Sequence, residues 1–186
     1  MHQDTSTLWI GIDPSATSTG IAFIHQGVLS VVRVQPRDLR GSARLAFLRN
    51  KFNAAFERNK QATVCACIEG PALKACNKAD TLGQVRGIFL LALEDIGATV
   101  TVVPPTTLKK FATKHGNASK ESMIAAAYTK WHRCLQEDEA DAAWLAQLAF
   151  SLGTNTVDTR AQLEVLSGIR SPKTKPVVRF KHKTNV

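Results

Sequence analysis

The sequence predicts an α/β fold, a mixed five-stranded sheet flanked by helices, and three observations carry that expectation. Three short β-rich runs open the chain: LWIGID (8–13), TGIAFIHQ (19–26) and VLSVVRVQP (28–36). Two further apolar runs, ATVCACIEG (62–70) and TVTVVPP (99–105), are too short for good helices. Stretches of helical period separate them, and alternation of that kind covers a sheet with helices. No internal repeat is visible.

Gly27 supplies the turn chemistry for a tight reversal, so the first three strands are expected as an antiparallel meander, the first ending at Asp13. Asp38 is placed to cap a helix through about Arg58, with Leu45, Leu48, Phe52 and Phe56 near helical period and Arg40, Arg44, Arg49 and Lys51 facing elsewhere. The run 62–70 again ends on a carboxylate, Glu69. Thr81 to Ile96 is helical by Leu82, Val85, Phe89 and Leu93, and Gly97 stops it. Pro104 and Pro105 end the strand that follows. Asn117 or Ser119 caps a helix containing Met123, Ile124, Ala127 and Trp131, and a last core helix carries Asp138, Asp141, Leu145 and Leu148 up to Gly153. A short helix from Val157 to Leu166 is expected next, and then a Pro- and Lys-rich end without periodicity, read as a flexible basic tail. The expected organisation is one domain over 1–153, a helical extension over 154–170 and the tail over 171–186.

With 186 residues the chain can bury one sizeable core but not two full lobes. Its 24 Lys plus Arg outweigh 15 Asp plus Glu, and a net charge of +9 predicts attraction to polyanions, of which nucleic acid is the commonest. No run of about 18 apolar residues exists, and residues 1–10 lack a signal-peptide pattern, so a soluble cytoplasmic protein without a membrane partner is expected. Cys65, Cys67, Cys76 and Cys134 show no zinc-ligand or disulfide spacing, and reduced core thiols are expected. Cys65 and Cys67 alternate and should share one strand face.

Against this basic background four acids stand out: Asp13, Glu69, Asp138 and Asp141. Each has an ordinary use: a turn residue, a strand end in solvent, and an acidic first turn complementing a helix dipole. Taken together, they deliver two carboxylates from strand ends and two from one face of a helix, since 138 and 141 are i and i+3. An acidic cluster conflicts with a polyanionic partner unless divalent cations occupy it and meet the phosphate. Asp141, followed by Ala142, Ala143, Trp144 and Leu145, would lie near the buried face and need a partner. Glu137 and Glu139 are expected to be solvated.

The order strand-Asp-Pro, Ile-Glu-Gly-Pro, Leu-Gly-Gln-Val-Arg-Gly, Pro-Pro-Thr-Thr-Leu-Lys-Lys, Asn-Ala-Ser-Lys-Glu and Asp-Glu-Ala-Asp-Ala-Ala resembles the RuvC family of Holliday junction resolvases, within the RNase H-like nuclease superfamily, over about residues 8–151. The resemblance implies a sheet order of 3-2-1-4-5 and an acidic tetrad of Asp13, Glu69, Asp138 and Asp141 as catalytic and metal-ligating groups. It implies Mg²⁺ or Mn²⁺, two ions per site, and basic residues at Lys109 and Lys120 near the scissile strand, Lys120 as part of the catalytic set. Lys110, Lys74 and Arg86 complete the candidate DNA contacts. The resemblance also implies a homodimer through the helix carrying Gly83 and Gly87; the ordinary use of two glycines four apart is close packing inside the monomer. Where bacterial members carry an aromatic residue three positions after the glutamate, this chain has Ala72.

The expected function is symmetric nicking of four-way DNA junctions by two-metal-ion phosphodiester hydrolysis. A broader nuclease of flaps, forks or RNA-DNA hybrids would use the same site. A catalytically silent DNA-binding module would need only the basic charge. An actin- or kinase-like ATPase, suggested by IGIDPSATSTG, would need a second lobe that this length does not supply.

Overall fold

The protein is described by a computed structural model over residues 6–59, 63–71 and 79–171. Three strands, β1 (Thr7–Asp13), β2 (Thr19–His25) and β3 (Val28–Val34), precede α1 (Gly41–Glu57) and β4 (Thr63–Glu69). Then come α2 (Ala79–Asp95), β5 (Thr99–Val103), α3 (Pro105–Thr113), α4 (Lys120–Trp131), α5 (Glu137–Thr154) and α6 (Arg160–Arg170). The five strands form one sheet in the order β3-β2-β1-β4-β5, antiparallel through the meander and parallel from β1 to β4 to β5. That is the fold class and strand order expected from the sequence. His25 pairs Val28 across the turn, where Gln26 and Gly27 both take left-handed φ (50° and 77°), the backbone a two-residue hairpin needs.

Three local expectations change. The two prolines do more than end β5: Pro105 opens α3, where its fixed φ suits a first helical turn and its missing N–H is not needed. Asp38 does not cap α1; it sits in a turn closed by Leu39 N–H to Pro36 O at 3.1 Å, and the helix begins at Gly41 behind Arg40. Cys134 is exposed, unlike Cys67, which is buried, and Cys65, which is partly so; Cys76 and the tail from 172 onward lie outside the described residues. Of the two caps considered for α4, Ser119 is used, its side chain accepting from Ser122 N–H. Helix α6 is capped by Thr159, whose side chain accepts from the Gln162 N–H.

Strand alternation divides the core in two. Leu8, Ile10, Ile12, Ile21, Phe23, Val64, Ala66 and Ile68 meet α1 and α2 through Leu48, Phe52, Val85 and Phe89. Trp9, Ala22, Ile24 and Cys67 face α5, which is buried along most of its length and crosses β1, β2 and β4. Among the described residues no helix is long and apolar enough to cross a membrane.

Candidate active site

Pairing register fixes the positions of the acids. Asp13 lies opposite Gly20, and Gly20 opposite Arg33. The β1–β4 register aligns Ile12 with Ile68, which brings Asp13 beside Glu69, itself paired with Val103. One row across the sheet therefore reads Arg33, Gly20, Asp13, Glu69, Val103. Laterally paired residues point to the same face, so all of these side chains stand on the α5 side. Strands about 4.8 Å apart bring neighbouring carboxyls within hydrogen-bond reach, and Asp13 and Glu69 do hydrogen-bond to each other.

The glycines in this face bring the helix down to the row. A Cβ on Gly20 would lie 1.9 Å from the Asp138 carbonyl oxygen, and one on Gly11 would lie 2.0 Å from that of Ala142. The first turns of α5 thus rest on bare backbone, with Asp138 and Asp141 over the row. Glu139 reaches back to the Gln136 N–H at 2.8 Å and closes the helix start, and Glu137 pairs with Lys120 at 2.7 Å, so neither glutamate is simply solvated.

The four acids divide by environment. Burial first, then the charges of Glu69 and Asp141, hold the Asp13 carboxyl well above its ordinary range. Burial also raises Glu69, against the hydrogen bond from Asp13 and the charges of Arg86 and Lys109. Asp141 is pushed up to about 7, by burial and then by Glu69 and Glu137. Its Oδ1 is buried without a hydrogen-bond partner. Asp138 is different: its Oδ2 accepts from Arg33 Nε at 2.8 Å and from Ser18 Oγ, and its Oδ1 accepts from the Glu139 N–H at 3.1 Å. Among the described residues Asp13, Glu69 and Asp141 thus form no ion pair, although Lys109 stands close enough to act on Glu69 and Asp141, whereas Asp138 is paired with Arg33.

A hard divalent cation fits this donor set. The groups are all carboxylate oxygens, the ligands Mg²⁺ and Mn²⁺ prefer, and a cation is what the unpartnered Asp141 oxygen lacks. Among the described residues no three such side chains form a finished ligand set; Asp13 hydrogen-bonds to Glu69, and Asp138 is turned to Arg33. Crowding of like charges at low exposure favours the protonated form of one of the paired acids.

The basic candidates separate. Lys109, on the helix the prolines open, stands near enough to lower both Glu69 and Asp141; Lys120 acts on Asp141 while bridging to Glu137. Lys110 turns the other way, to Glu164 of α6 at 3.0 Å. Arg86 donates to the Glu69 carbonyl at 3.2 Å and so braces the strand end. Lys74 and Ala72 lie outside the described residues. Among the described residues nothing lies within 4 Å of a Cβ added at Gly83 or Gly87, so neither glycine is packed closely against them. One member of the site was not singled out from sequence, Arg33; Ser18 is expected there only as a short side chain that leaves room for a phosphate, not as a donor to Asp138. The signal was a lone arginine inside the apolar run VLSVVRV. A groove of about 360 Å³ between β3 and α1, toward the opposite face of the sheet, is lined by Arg37, Lys51 and Arg58 and reaches Arg33 at its edge.

Comparison with known proteins follows this geometry. No family profile matches the chain. A crossover junction endodeoxyribonuclease RuvC from Chloroflexus aggregans is 35% identical over 121 residues, 61% of this chain and 73% of the relative. Those of Roseiflexus sp. and Lawsonia intracellularis are 32% and 34% identical, over 64% and 61% of this chain and 74% and 71% of theirs. Among solved structures, Thermus thermophilus RuvC superposes with a TM-score of 0.63 at 21% identity, covering 81% of this chain and 98% of that one. The same protein in complex with a Holliday junction substrate gives 0.65 at 18% identity, over 82% and 98%. The strand order, the row of acids under α5 and relatives of this identity and coverage agree, and the chain belongs to the RuvC family of crossover junction endodeoxyribonucleases.

Proposed function

We propose that this protein is a cytoplasmic, homodimeric endonuclease that nicks four-way DNA junctions symmetrically, with Asp13, Glu69, Asp138 and Asp141 as its metal-holding carboxylates. Its family consists of metal-dependent junction endonucleases, and a member carrying all four acids does that chemistry. The observation that carries the residue assignment is the half-buried trio of Asp13, Glu69 and Asp141, none of them in an ion pair among the described residues, with an Asp141 oxygen that has no hydrogen-bond partner there. Such a cluster is costly to bury without a cation, and a basic protein has no electrostatic use for it on DNA unless a cation is bound.

When bound, Mg²⁺ or Mn²⁺, two ions per site, supplies positive charge at the scissile phosphate and stabilises the attacking and leaving oxygens of an in-line displacement. The chain does the rest. Glu69 is fixed at its strand end by Arg86, and Asp13 by the row it shares. Lys109 and Lys120 add charge beside the reacting phosphate, and the short side chains of Ser15, Ala16 and Thr17 leave room for the strand. Deprotonation of Asp13 and Asp141 accompanies ion binding.

The uncovered face of α2, with Gly83, Gly87 and Leu91 four residues apart and Leu91 56% exposed, supports pairing of two copies, as a two-fold substrate requires. The test is nicking of a mobile synthetic four-way junction in Mg²⁺ or Mn²⁺ by Asp13→Asn, Glu69→Gln and Asp141→Asn. Cleavage should vanish while junction binding survives, and normal nicking by all three would sink the assignment. Matched three-way, flap and hybrid substrates run in parallel; strong selectivity for one of them would overturn the junction preference.

A further inference from the structure

The acid cluster contains a cation of its own. Arg33 stands in the same sheet row as Asp13 and Glu69, on the same face, two strands from Asp13. Only Gly20 separates them, and the Asp138 carbonyl lies directly over Gly20. Asp138 therefore has two directions open to it, toward Asp13 or toward β3. It takes the second: Arg33 Nε is 2.8 Å from its Oδ2, Ser18 Oγ donates to the same oxygen, and Arg33 Nε also reaches Ser18 Oγ at 2.9 Å. The carboxylate is buried, with its side chain only 9% exposed, and its other oxygen is held by the Glu139 N–H. Both carboxylate oxygens of Asp138 accept hydrogen bonds from this chain, while Asp141, one helical turn away, has an oxygen with no partner among the described residues.

We propose that Arg33 is a positioning residue that competes with the second divalent ion for Asp138. In the DNA-free protein Asp13, Glu69 and Asp141 form the stronger ion site. Asp138 joins a second only when the guanidinium and the Ser18 hydroxyl let go. This rests on the nuclease reading above and adds to it an order of ion binding set by a residue outside the acidic tetrad. A planar guanidinium suits the role: it stays charged at every working pH, and its Nε–H is a directed donor to a single carboxylate oxygen.

The two roles an outer residue can have at such a site predict opposite signs. A partner that orients a ligand strengthens ion binding, and its loss weakens affinity by about 10- to 100-fold. A competitor weakens ion binding, and its loss tightens it. Calorimetric titration of the full-length protein with Mn²⁺, without DNA, reads the difference. Electron paramagnetic resonance detects two ions close together through their spin coupling. Wild type is expected to take one Mn²⁺ per chain tightly and a second weakly. Arg33→Gln should tighten the second by at least about tenfold, matching the lower end of the outer-partner range with the sign reversed. The coupled-ion signal should then appear at lower Mn²⁺ concentration, and the Mn²⁺ concentration for half-maximal nicking should fall in step.

Ser18→Ala removes the other donor by a smaller, uncharged change. It gives a smaller tightening in the same direction, and it keeps the question answerable if Arg33→Gln does not fold. Asp138→Asn loses the second ion whatever stands at 33. Unchanged or weaker binding of the second ion in Arg33→Gln and Ser18→Ala would overturn the proposal, as would two equally tight ions in wild type. Wild-type nicking in Mn²⁺ is recorded alongside. If it occurs while the variants bind ions like wild type, only the role of Arg33 fails; if wild type neither binds Mn²⁺ nor nicks, the nuclease assignment fails.

Discussion

On one face of the sheet α5 lies against glycine backbone, and on the other α1 and α2 stand off on phenylalanine rings. Gly11 and Gly20 leave no space for even a methyl group beneath α5, whose carbonyl and amide atoms would sit about 2 Å from an added Cβ. Phe52 stacks with Phe56 and meets Phe89 edge-on at 6.1 Å, so the opposite face is filled by side chains that can shift and repack. The two arrangements serve different ends. Backbone-on-backbone contact fixes where α5 starts, and with it Asp138 and Asp141; side-chain packing supplies apolar burial but positions no reacting group.

The largest expected effect is at Gly11. An added methyl would meet the Ala142 oxygen at 2.0 Å and the Ala146 nitrogen at 2.3 Å, both backbone atoms that cannot swing aside. Gly11→Ala should destabilise by at least the upper part of the ~1–3 kcal/mol overpacking range. It should also cut single-turnover nicking about 100-fold, since a misplacement near 1 Å costs that much. On the other face Phe52→Ala should cost about 3–5 kcal/mol in urea unfolding, yet leave the nicking rate of the folded molecules unchanged. Equal rate losses for the two variants would mean that the faces do not divide labour in this way.

A smaller effect follows from the burial of acid on the α5 face alone. Asp141 titrates near 7 in the folded chain against an ordinary 3.8. Between those values the folded state keeps a proton that the unfolded state has lost, so this carboxyl makes stability fall as pH rises toward 7. Glu121 and Glu164, whose carboxyls are lowered by Ser119 and Lys110 respectively, act in the opposite sense only up to their ordinary 4.5 and so do not offset it above pH 5. The metal-free melting temperature should therefore decline from pH 5 to 8, and the decline should flatten in Asp141→Asn. Mg²⁺ or Mn²⁺ should raise the melting temperature more at pH 8 than at pH 5, because the ion needs the deprotonated carboxylates. A metal-induced increment independent of pH would argue against Asp141 as a ligand.

The same division explains what could be read from sequence. The strands were readable because apolar runs end abruptly on Asp13 and Glu69, and the helix acids because they are spaced i and i+3. Arg33 was not, since an arginine on an edge strand ordinarily faces solvent. Its true position depends on register, which the Gln26-Gly27 turn sets by pairing His25 with Val28 and hence Gly20 with Arg33. That deduction was available in the residues but required the turn and the pairing together. Helix α3 was missed because two prolines read as a stop, although a proline also suits the first position of a helix. Without α3, only the family resemblance, and nothing in the residue pattern, distinguished Lys109 from Lys110.

These adjacent lysines give the finest test of the comparison. They leave α3 in different directions: Lys109 acts on Glu69 and Asp141, whereas Lys110 is tied to Glu164 in an exposed pair at 3.0 Å. An exposed pair of that kind is worth about 0–1 kcal/mol, so Lys110→Ala should barely move either stability or nicking. Lys109→Ala removes positive charge from beside the carboxylates. If that charge also meets a phosphate, the slope of log affinity against log salt for junction binding should become shallower by about 0.9. The slope for Lys110→Ala should change less than that for Lys109→Ala. The reverse ranking would put the DNA strand over α6 rather than over the carboxylate row, and would separate the basic surface from the site that the glycine-lined face builds.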